Sequence, residues 1–80
     1  MKARVYIFLK EGILDPQGKT IQQALGSIGF DGVSEVRVGK YLEIALSAPS
    51  KAQAEVEIKG MCEKLLSNPV IENFRYEITE

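Results

Sequence analysis

The hydrophobic period of this chain changes at one marked point, and that change limits the folds open to it. Ala3, Val5, Ile7 and Leu9 alternate with Arg4, Tyr6 and Phe8, the period of two that specifies a strand. Further on, Ile21, Ala24, Leu25 and Ile28 share one face of a helix. Between the two patterns lie a loop around Gly12 and then Leu14-Asp15-Pro16-Gln17-Gly18. Asp15 suits an N-cap, and Pro16 suits the first helical position, where a missing N–H costs nothing. The residue before a proline avoids α geometry, as an N-cap must. Gly29 is placed to stop the helix.

The remaining chain continues the alternation of periods. Val33, Val36 and Val38 predict a second strand, and Gly39-Lys40 a tight turn. Leu42, Ile44 and Leu46 predict a third strand. Ser50 and Gln53 have capping-box spacing, and Ala54, Ile58, Met61, Cys62 and Leu65 line one face of a second helix. Ser67-Asn68-Pro69 ends it, with Asn68 as a left-handed cap. Val70, Phe74, Tyr76 and Ile78 predict the last strand. The order is βαββαβ. Right-handed crossovers then give one α+β, ferredoxin-like domain over residues 1–80, a four-stranded antiparallel sheet with two helices on one face. Its other face would show Tyr6, Phe8, Tyr41, Ala45 and Ile71 among Arg4, Arg37, Glu43 and Arg75, a composition typical of interfaces.

Length and composition exclude several functions. Eighty residues build a core that is marginal alone, and a single cysteine rules out an internal disulfide, so self-association or docking to a larger partner is expected. There is no histidine, hence no familiar base for Cys62, which also stands at a core position of its helix. A net charge of −1 argues against a nucleic-acid binder. The N-terminal apolar run lacks a signal-peptide cleavage site and is too short to span a membrane, and a lone free cysteine fits a reducing cytoplasm.

Two turn segments carry more specified chemistry than their turns require. At Asp15-Pro16-Gln17-Gly18, Asp15 would occupy the helix N-terminus and repel a phosphate, while Gly18 would open the backbone to another chain. Plain capping fits that stretch equally well. At Arg37-Val38-Gly39-Lys40-Tyr41, Arg37 and Lys40 offer an anion contact, although a hairpin with solvated charges is the simpler reading. No catalytic, cofactor or metal residue is expected. Leaving out Val38, the residues of the two segments are candidate partner-docking positions: Asp15, Pro16, Gln17, Gly18, Arg37, Gly39, Lys40 and Tyr41.

The chain resembles the PurS family, small subunits of phosphoribosylformylglycinamidine (FGAM) synthase. The resemblance runs from Val5 to Glu77, through Leu14–Gly18, Ala24-Leu25, Gly29-Phe30, Val36–Tyr41, Met61–Leu66, Asn68–Glu72 and Phe74–Glu77, with Asn73 standing where an acid is expected. It implies a non-catalytic bridging subunit of de novo purine biosynthesis. A PurQ glutaminase releases ammonia. A PurL synthetase binds ATP and magnesium, phosphorylates the amide oxygen of formylglycinamide ribonucleotide, and lets ammonia displace the phosphate. The small subunit self-associates and joins the two, binding no cofactor itself. The rival reading is a free-standing ACT-like regulator that binds a small ligand at a dimer interface. The ACT-like strand-to-helix turn is matched poorly by Lys10–Gln17.

Overall fold

A computed structural model describes residues 1–80. β1 (Lys2–Leu9) is the middle strand of an antiparallel sheet, with β2 (Gly39–Ala45) on one side and β3 (Glu72–Thr79) on the other. The odd positions of β1 point inward, so Ala3, Val5 and Ile7 are at most 1% exposed. The pairing register follows from them. Ala3 faces Ile44 and Ile78, Val5 faces Leu42 and Tyr76, and Ile7 faces Lys40 and Phe74. A slip of one residue would turn each of these sets out to solvent.

Two helices complete the chain, α1 (Pro16–Ser27) and α2 (Lys51–Met61). The Ser50 hydroxyl caps α2 by accepting from the Gln53 N–H at 3.1 Å. Ala54, Ile58 and Cys62 bury one face of α2 against β1 and Ile78. A π-helical turn, Cys62–Leu66, then widens the spiral. The wider turn places Leu66, not Leu65, beside the core, and leaves Leu65 82% exposed. A strict 3.6 period puts Leu65 on the inner face, so the π turn reverses that expectation. Ser67 closes the turn, its N–H and Oγ both donating to the Cys62 carbonyl.

Asn68 does not take the left-handed conformation, since no residue but glycine has positive φ. Its Oδ1 accepts from the Val70 N–H, and its carbonyl accepts from the N–H groups of Ile71 and Glu72. Asn68 therefore builds the turn itself, and Val70 sits exposed within that turn, not in a strand.

The sheet has three strands, not four. Val33–Val38 joins no ladder and runs into β2 without an intervening turn. Gly39 and Lys40 form no hairpin, because they are already paired with Phe8 and Ile7 at the start of β2. With that hairpin open, α1 has no route back across the sheet. It buries only Gly18, and only α2 covers the inner face. Its ends are nevertheless well formed. At the C-terminus Gly29 has φ 104°, the Phe30 N–H reaches the Leu25 carbonyl and the Gly29 N–H reaches that of Gly26, a Schellman closure.

The result is a sheet-and-α2 body with an arm, Pro16–Arg37, extending from it. The chain measures 51 × 26 × 14 Å with a radius of gyration of 16.1 Å, against about 12 Å for a compact domain of this length. The π-turn register predicts that Leu66→Ala costs at least about 1 kcal/mol through lost core contact. Leu65→Ala should stay within about 0.5 kcal/mol. Urea midpoints at one protein concentration check both, and equal costs would refute the register.

Candidate functional site

The base of the arm is where sequence-specified chemistry converges. Asp15 is 7% exposed, and a carboxylate so buried needs its oxygens satisfied. One oxygen accepts the Gly18 N–H at 2.8 Å, the ordinary N-cap bond. The other accepts the Val38 N–H at 2.7 Å. These bonds, that from Val38 foremost, hold the Asp15 carboxyl below the usual carboxylate range.

Gly18 lies under the same knot. A Cβ there would collide with the Val36 carbonyl oxygen and press on the Asp15 carboxylate. The close approach that this glycine allows is thus made by its own chain. Arg37 reaches back across the base, donating to the Ile13 carbonyl at 2.8 Å and the Lys10 carbonyl at 3.2 Å, with Glu35 3.9 Å from Nε. Gln22 ties α1 to the returning segment by donating to the Ser34 carbonyl at 3.0 Å.

Of the eight candidate residues, Asp15, Gly18 and Arg37 gather in this knot. Pro16 and Gln17 lie exposed beside it. Gly39 lets β2 lie against β1, since a Cβ there would stand 2.6 Å from the Ile7 carbonyl oxygen. Lys40 points inward and donates to the Leu66 carbonyl at 3.1 Å. Tyr41 stands on the opposite face. The two expected corners are therefore one corner plus a divided strand start. Sequence reasoning missed the backbone of Val36 and Val38. A main-chain N–H or C=O has no signature of its own, and the one clue was a glycine in the first turn that capping does not require.

The outer sheet face is an ordered lattice of aromatic and charged groups. Arg4 lies between Glu43 and Glu77, and Tyr6 between Tyr41 and Arg75. The Tyr6 and Tyr41 rings are 5.2 Å apart at 41°, and the Arg75 guanidinium sits 4.4 Å from the Tyr6 ring centre. Tyr6 donates to Glu77 at 2.8 Å and Tyr41 to Glu43 at 2.7 Å, which raises both phenol pKa values. Arg37 and Ile71, expected on this face, lie outside its strands. Cys62 is fully buried, and burial pushes its thiol up, away from the thiolate that nucleophilic chemistry needs. No three metal-ligating side chains converge, and no helix is long and apolar enough to cross a membrane.

Residues 2–80 match a family model described as PurS: Phosphoribosylformylglycinamidine (FGAM) synthase. The phosphoribosylformylglycinamidine synthase subunit PurS of Bacillus subtilis is 49% identical over 79 residues, covering 99% of this chain and 93% of that protein. A solved B. subtilis PurS structure has a TM-score of 0.90 at 49% identity, covering 99% of this chain and 98% of that one. A chain of PurLQS from Thermotoga maritima has a TM-score of 0.88 at 30% identity, covering 95% and 93%.

The packing at Gly18 reverses an ordinary helix rule. Glycine to alanine inside a helix normally stabilises by up to about 1 kcal/mol, and Gly26→Ala, with open space around it, should do so. Gly18→Ala should instead destabilise by about 1–3 kcal/mol by overpacking, and thermal melts of the two variants check the opposite signs.

Asp15 predicts a pH signature. Its carboxyl titrates near the ordinary value of about 3.9 when unfolded and lower when folded. The folded state binds fewer protons, so this stability is present above about pH 4 and lost as pH falls through the folded pKa. Asp15→Asn should lower the urea midpoint at neutral pH, and the gap to wild type should close in acid. A gap that does not change with pH would place the stabilisation elsewhere.

Proposed function

The chain belongs to the PurS family of FGAM synthase subunits, and from that premise we propose that it serves glutamine-dependent amidine formation in purine biosynthesis as the accessory subunit beside PurL and PurQ. The match across residues 2–80 carries this reading. Ammonia freed from glutamine must reach the synthetase without equilibrating with bulk water, because ammonium has no lone pair to attack with. Holding two active sites in register and excluding water between them is positioning work, for which no reactive group is needed. The ligase chemistry, with ATP and magnesium, resides in this reading on PurL, in the cytoplasm. The family match across residues 2–80 also favours this reading over the ACT-like regulator.

A second copy of the chain covers the arm in this proposal. The accessible surface is 5701 Å², about 900 Å² more than a compact monomer of 8.9 kDa should have. A specific interface removes about 800 Å² from each partner. The excess matches what is left bare. On the arm, Ile21 is 38%, Ile28 71% and Phe30 58% exposed. On the body, Leu42, Ile44 and Leu46 are only partly covered at the β2 side of the inner face. An open hairpin and a bare helix face are what arm exchange between copies requires. With a partner's arm laid on each sheet, both halves regain the ferredoxin-like arrangement of two helices over four strands that the sequence pattern specifies.

The candidate docking residues divide accordingly. Asp15, Gly18, Arg37 and Gly39 serve the chain's own fold, and Lys40 binds Leu66. Pro16, Gln17 and Tyr41 remain exposed for PurL or PurQ.

Reconstitution tests the reading. With PurL and PurQ from the same source, glutamine-dependent amidine formation should appear only when this chain is added, while ammonia-driven formation by PurL persists without it. Gln17→Trp should fold normally yet weaken that stimulation, and Leu25→Glu, on the bare face of α1, should leave a monomer by sedimentation. Full glutamine-dependent activity without the chain would sink the accessory role.

A further inference from the structure

The Asp15 carboxylate does more than cap α1. An N-cap needs one acceptor oxygen, and asparagine or serine supplies it as well as aspartate does. Here the second oxygen holds the Val38 N–H, 23 residues along the chain. The arm thus leaves the body at Asp15, returns at Val38, and has both ends fixed by one side chain. Only an ionised carboxylate offers two acceptor oxygens with no donor turned toward either N–H. Asparagine would present an NH2 group to one of them.

Nothing else in the chain sets the direction of the arm so firmly. Beyond Gly18, α1 has no buried contact with the sheet or α2. Its aim depends on the polar knot, where Arg37 secures the Lys10 and Ile13 carbonyls and Gly18 admits the Val36 carbonyl. A partner surface that must capture a loose arm has to order it at the moment of binding, whereas an arm already in its bound direction avoids that cost.

We propose that Asp15 is the positioning residue for self-assembly: its second carboxylate oxygen, backed by Arg37, locks the Pro16–Arg37 arm at one angle to the sheet, so that α1 meets a second copy already aimed. This rests on the reading that a second copy covers α1.

Asp15→Asn and Asp15→Ser keep the cap and remove the two-oxygen grip. Amide hydrogen exchange and sedimentation equilibrium test them in the full chain. Val38 and the α1 amides should exchange about tenfold faster or more, a larger increase than that of the β1 ladder to β2 and β3, which follows only the global loss of stability, and the dissociation constant of the oligomer should rise about tenfold. Exchange in the Leu25→Glu background reads the latch alone, without the second copy. Unchanged α1 protection there would show that Asp15 does not hold the arm. A loosened arm with an unchanged dissociation constant would show that aiming does not govern assembly. Either overturns the proposal. A wild-type chain that stays monomeric at every concentration removes the second-copy reading itself, and the proposal with it.

Discussion

β1 is hydrogen-bonded along both edges, and the rest of the fold is placed by that fact. Its odd side chains are the buried centre, so β2 and β3 must enter in registers that bring Leu42, Ile44, Phe74, Tyr76 and Ile78 to the same side. α2 then has one apolar surface to cover, and Ala54, Ile58 and Cys62 cover it. The even side chains are delivered together to the opposite face, where Arg4 and Tyr6 meet their cross-strand partners. Burial on one face and pairing on the other follow from a single alternation.

The same ladder explains the arm. Pairing with β1 continues as far as Gly39, which leaves no residues for a hairpin between the valine-rich segment and β2. Once that turn is absent, α1 cannot fold back over the sheet, and Asp15 and Arg37 fasten the excursion where it begins and ends. The polar knot has to be strong because apolar packing does not support it. Hydrophobic side chains that a compact chain would bury internally, Ile21, Ile28 and Phe30 among them, are thereby left exposed.

Most element boundaries were legible in the sequence, because they are set by local chemistry. Asp15-Pro16 starts α1 and Gly29 ends it through bonds made within a few residues. Ser50 caps α2 in the same way. The fit of β1 to one buried face was equally plain in its alternation. The candidate site was legible in part. Asp15 and Gly18 stand out in the sequence, but as a cap and an opening for another chain, and Arg37 stands out as a docking candidate on the outer sheet face. Their joint role depends on Val36 and Val38 arriving from a distant part of the chain, and main-chain groups leave no trace in side-chain identity.

By itself the sequence determined periodicity, caps and the absence of histidine-based chemistry, since each of these lives in neighbouring residues or in composition. Tertiary structure alone decided that the Gly39-Lys40 pair would be a strand start and not a turn, and that α1 would stand away from the sheet. It also decided that a π turn would exchange Leu65 for Leu66. Each of those outcomes is a competition between alternatives of similar local quality. The winner is fixed by contacts that are remote in sequence: the reach of the β1 ladder, the second oxygen of Asp15, and the Ser67 closure onto Cys62.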